Sequence, residues 1–65
     1  MTATSLYSLQ ELAECARREV NIRKRVYPTR VANGRMSPRK AAKEIAMMAA
    51  IYTAIKTQLD KELLL

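Results

Sequence analysis

From Ala41 to Leu59 the residues Ala41, Ile45, Met48, Tyr52, Ile55 and Leu59 recur at steps of four, three, four, three and four. This is the a/d seam of a helix that lies along another helix, sustained for almost three heptads. It predicts a helix from Pro38 to about residue 63, opened by Ser37-Pro38, a cap residue followed by proline at the first helical position. The seam does not exhaust the apolar surface. Ala46, Met47, Ala49, Ala50, Ile51 and Ala54 widen it beyond what one partner helix covers. A chain of 65 residues has little else to bury, since a domain this small removes only about 60% of its unfolded surface from water. Small folds compensate with disulfides, a metal or self-association. The single cysteine, Cys15, cannot form an internal disulfide, and the chain has no histidine for a Cys-His zinc site. Self-association is what remains.

A second helical signal precedes the first. Ser8-Leu9-Gln10-Glu11 has the pattern of a capping box, in which the Ser8 hydroxyl and the Glu11 carboxylate each satisfy the other's backbone amide. Behind it Leu9, Leu12, Ala13, Ala16, Val20 and Tyr27 recur at helical spacing, with Cys15, Ile22 and Val26 widening the stripe. Cys15, set among alanines, reads as a small core residue. Pro28 disfavours helical geometry at Tyr27, so this helix is expected over residues 8–27. Residues 28–37 then form an elbow, in which Pro28 can open one short turn that Asn33-Gly34 ends. Residues 1–7 are expected to fray. The fold class is all-α: one domain, an antiparallel two-helix hairpin with a short basic elbow. Its first helix covers one side of the second, leaving Met47, Ile51 and Ala54 for another copy. The expected dimer interface is Ile45, Met47, Met48, Ile51, Tyr52 and Ile55.

Charge divides the same hairpin lengthwise. Residues 17–43 hold ten bases against one acid, Glu19, a balance of +9, and the remainder of the chain carries −3. Folding the chain on itself therefore gives one basic pole at the elbow and one mildly acidic pole at the two chain ends. Bases closing the first helix complement its dipole, but Arg39, Lys40 and Lys43 sit at the positive start of the second, where cations cost stability. Their position points to recognition. Arginine pairs bidentately with carboxylates and tyrosine anchors interfaces, so Tyr27, Arg30, Val31, Arg35, Met36 and Arg39 are the candidate partner-binding residues. A basic cluster also binds phosphate, and a small nucleic-acid-binding protein using the residue 17–43 patch is the alternative reading. It is less favoured, because no zinc-finger spacing, aromatic RNA-binding motif or three-helix reading domain accompanies the patch.

Other classes drop out. With no histidine, no glycine loop and no Walker motif, the chain is not expected to be an enzyme or to bind a cofactor or metal. Its longest apolar run is eight residues, Ile45 to Tyr52, against the roughly 20 that span a bilayer. No secretory pattern opens the chain, and one unpaired thiol suits a reducing cytoplasm. No membrane partner is expected.

Cys15-Ala16-Arg17-Arg18-Glu19-Val20, Arg23-Lys24-Arg25-Val26-Tyr27-Pro28, Gly34-Arg35-Met36-Ser37 and Glu44-Ile45-Ala46-Met47-Met48 occur in that order. Over roughly residues 12–52 the chain resembles the small early proteins of Mu-like phages of pseudomonads. That group includes a quorum-sensing anti-activator that also inhibits type IV pilus assembly. The resemblance implies a dimeric two-helix protein in the cytoplasm of the infected bacterial host, acting as a binding inhibitor. Its implied partners are a host LuxR-type transcription factor, kept from its promoters, and the host pilus assembly ATPase. A DNA-binding region offers a basic surface, so contact through Tyr27, Val31 and Met36, or through the acidic pole at Glu11, Glu14, Asp60 and Glu62, stands beside contact through the elbow arginines. A structural role in the virion is a further alternative.

Overall fold

A computed structural model describes residues 6–64, which form two α-helices and no strand. Helix α1 spans Leu9–Ala32 and α2 spans Pro38–Leu64, packed as the hairpin expected from the two apolar stripes. Residues 1–5 of the segment expected to fray lie outside the described residues, while Leu6 and Tyr7 are exposed ahead of the first cap. That cap is a complete capping box: the Glu11 amide donates to Ser8 Oγ at 3.0 Å and the Ser8 amide to Glu11 Oε1 at 3.0 Å. Two orphan donors are satisfied reciprocally, which fixes the first turn.

Pro28 does not end α1. The helix continues through it to Ala32, so the elbow is residues 33–37 rather than 28–37. Proline removes the amide that would bond the carbonyl of Lys24. Both Lys24 and Pro28 are exposed, so the lost bond falls on the outer side of α1, the cheapest place for it. Beyond the proline the apolar stripe goes on to half-buried Val31. Pro28→Ala restores the missing bond, and the thermal midpoint should rise by the equivalent of about 1–3 kcal/mol. A variant that melts no higher would show that the proline sits in α1 without cost.

The true stop is Asn33-Gly34. Asn33 caps α1, and Gly34 takes φ +74°, the left-handed region. The Arg35 amide donates to the Arg30 carbonyl at 2.9 Å and the Gly34 amide to the Val31 carbonyl at 3.1 Å, a Schellman turn. A Cβ built on Gly34 would meet nothing within 4 Å, so only backbone strain opposes a side chain there. Gly34→Ala should therefore lower stability by about 1–2 kcal/mol. Urea denaturation reads this as a lower midpoint at unchanged slope, and an unchanged midpoint would contradict the role given to the turn.

The core between the helices is thin. Its buried residues are Ala13, Ala16 and Val20 of α1 and Ala41 of α2, and no large side chain is fully buried among the described residues. The α2 seam residues Ile45, Met48, Tyr52, Ile55 and Leu59 are half-buried. Cys15 is exposed, a correction to its expected place in the core, and Ile22 is exposed beside it on the outer side of α1. The hairpin measures 47 × 18 × 16 Å with a radius of gyration of 14.5 Å, against about 11 Å for a compact chain of this length. No helix among the described residues is long and apolar enough to cross a membrane.

Candidate functional site

The elbow gathers the candidate partner-binding residues at one end of the hairpin. The Schellman turn ties the backbones of Arg30 and Arg35 together, at the two positions where such turns commonly carry an apolar pair. Here both are arginines, and both are exposed. Tyr27, half-buried one turn earlier, has the guanidinium of Arg30 5.5 Å from its ring centroid and that of Arg23 5.9 Å away. The ring is thus held between two cations that its π face attracts. Val31 and Met36 are half-buried. Arg39 stands exposed on the first turn of α2.

The start of α2 is capped but poorly matched in charge. The Lys40 amide donates to Ser37 Oγ at 3.0 Å, while no acid occupies the first turn. Arg39, Lys40, Lys43, Glu44 and Met47 line an open groove of about 410 Å³ there. Lys40 and Lys43, whose position at the start of α2 points to recognition, do not belong to the expected partner-binding set, and Met47 belongs to the expected dimer interface instead. Their signal lay in the steps of three and four that follow Lys40, which set all three on one side of α2.

Arg23 organises the ion pairs of this half of the molecule. Its Nε donates to Glu19 Oε2 at 2.9 Å and its Nη1 to the backbone carbonyl of Glu44 at 3.0 Å, with Glu44 Oε1 3.6 Å away. The hydrogen bond to Glu19 holds the guanidinium above its usual pKa. Sequence spacing could have flagged Glu19–Arg23 as an i,i+4 pair. The bond across to α2 had no local signature. Among the described residues the carboxylates of Glu19 and Glu44 pair with Arg23, and none pairs with Arg30, Arg35, Arg39, Lys40 or Lys43. Among the described residues no acid compensates the elbow end of the basic pole.

The acidic pole is partly neutralised from within. Lys56 Nζ donates to Asp60 Oδ1 at 2.8 Å, and Gln10 Nε2 reaches Glu14 Oε2 at 3.5 Å. Pairing with Asp60 holds the Lys56 ammonium above its ordinary pKa of 10.5. That pairing is present at neutral pH and is lost as the pH rises past the raised value. Glu14, Asp60, Tyr52 and Leu59 line a groove of about 310 Å³ at this end. It lies between the helices at the pole opposite the elbow.

The residues expected at a dimer interface divide into two groups. Ile45, Met48, Tyr52 and Ile55 lie half-buried on the seam. Met47 is 43% exposed and Ile51 50% exposed, with Ala46, Ala50 and Ala54 exposed around them. In its middle turns α2 is therefore apolar on both sides, the pattern of a helix covered all round. No group of three or more His, Cys, Asp or Glu among the described residues could hold a metal ion. Comparison with protein-family models, curated proteins and solved structures returned no match.

Proposed function

We propose that this protein is a dimeric, non-catalytic binding protein that inhibits host proteins by covering their working surfaces. The uncovered flank of α2, Met47 and Ile51 amid exposed alanines, is the observation that carries the reading. Monomers seldom leave an apolar strip uncovered along a helix whose opposite side already packs. The resemblance of residues 12–52 to small early phage proteins supplies the targets, a LuxR-type quorum-sensing transcription factor and the type IV pilus assembly ATPase. Inhibition then needs no chemistry, only occupation of the receptor's DNA-binding region.

A gel shift on a quorum-regulated promoter tests it. The expected result is loss of the receptor's shift when this protein is added, with no shift from this protein alone. A receptor shift that survives excess protein removes the receptor as target, and the pilus ATPase assay is next. The elbow end of the basic pole, uncompensated among the described residues, favours a second reading, nucleic-acid binding. That reading requires a shift by the protein alone which weakens steeply between about 50 and 200 mM salt.

A further inference from the structure

We infer that two copies of this chain pair through the outer flank of α2 in antiparallel orientation, with the two-fold axis passing beside Ile51. The inference rests on the dimeric reading above and adds the geometry that reading leaves open. Helix α2 has 27 residues from Pro38 to Leu64, and Ile51 is its middle residue. Large and small side chains alternate around that midpoint in a self-complementary way. In an antiparallel pair Met47 lies opposite Ala54 of the partner subunit, and Ile51 lies opposite Ala50 of the partner subunit. Each large side chain meets an alanine, and by symmetry each alanine meets a large side chain, as an isologous contact requires. Farther out, the apolar strip gives way to Lys43 on one side of the midpoint and Gln58 on the other. The strip is bounded symmetrically.

Charge selects the same orientation. A parallel pair would lay two segments of +9 side by side, whereas an antiparallel pair lays each beside a remainder of −3. Like charges brought together across an interface oppose it. The antiparallel arrangement also sends the two elbows to opposite ends, roughly 45–50 Å apart at 1.5 Å per helical residue. The dimer so built is bivalent, with one basic pole at each end.

Cross-linking tests the orientation. Cys15 is exposed and must first be replaced, so Cys15→Ser is the background. Met47→Cys and Ala54→Cys are made separately on it, one with a size tag, and mixed under mild oxidation. The mixed Met47→Cys/Ala54→Cys disulfide should dominate over both symmetric products. Dominant symmetric disulfides, or none in a sample that light scattering shows to be dimeric, would overturn the orientation or the face. A monomeric Cys15→Ser parent would overturn the dimeric reading itself. A second measurement avoids the interface entirely. Spin labels on Arg35→Cys, at the exposed elbow, should lie roughly 45–50 Å apart, and a separation under about half of that would mean parallel pairing.

Discussion

Replacing Ile51 by glutamate is expected to leave the helices formed and abolish the proposed dimer. Ile51 is half exposed in the single hairpin, so a glutamate there sits in water, and glutamate is a good helix former. Pairing changes its surroundings. Near a two-fold axis the two introduced carboxylates would be desolvated together, close to each other and with no cation between them. Burying unpaired charge costs about 3–5 kcal/mol, which raises Kd by roughly 10²- to 10⁴-fold. Light scattering should show the solution mass halved, with helical circular dichroism retained. Ile51→Leu keeps volume and polarity and should remain dimeric. A glutamate variant of unchanged mass would remove the α2 flank as the association surface. The variant should also melt earlier than its parent, because association no longer supports the folded state.

The second large effect is expected inside the hairpin. Ala41 is the one buried residue of α2, one turn before the Glu44 carbonyl that Arg23 grips and so at the elbow end of the hairpin. Ala41→Leu adds three carbons at a buried position between the two helices. Overpacking of this kind costs about 1–3 kcal/mol, a large share of the roughly 3–5 kcal/mol that a core of this size supplies. At about 4–8 °C per kcal/mol for a domain of this length, the melting temperature should fall by roughly 5–20 °C. Ala42→Leu is the matched comparison, since Ala42 is the next residue, exposed and with the same side chain. It should change stability by no more than about 0.5 kcal/mol. Equal effects at 41 and 42 would mean that the hairpin does not pack as described.

Much of this fold is legible in the chain because its boundaries are written locally. The Ser8-Leu9-Gln10-Glu11 box, the Ser37-Pro38 pair and the Asn33-Gly34 stop each act through bonds within five residues. Pro28 misleads for the opposite reason. Its effect depends on whether the orphaned Lys24 carbonyl meets protein or water, and that is a property of the folded surface. Cys15 misleads because its neighbours Ala13 and Ala16 are both buried while its own position falls on the outer side of α1. The periodicity of α2 groups Ile45, Met48, Tyr52 and Ile55 correctly on one side. It does not say which helix covers that side, and here α1 lies along it. The elbow residues are adjacent in sequence, so their gathering at one pole is readable. The Arg23 bridge joins residues 21 positions apart, beyond the reach of any local pattern.

That bridge has a consequence for how the two helices find their alignment. The inner side of α1 is smooth where Ala13 and Ala16 line it, so the half-buried seam of α2 meets few grooves there to stop one rod from sliding along the other. Cohesion and alignment are thus supplied by different groups. The Arg23 guanidinium, anchored to its own helix by Glu19 and bonded to the carbonyl of Glu44, works as a detent that marks one axial setting among several that alanine would tolerate. The Gly34 turn fixes one end of the travel and Arg23 the position along it. A polar contact on the surface therefore carries the positional information that larger proteins store in the shapes of their interior side chains.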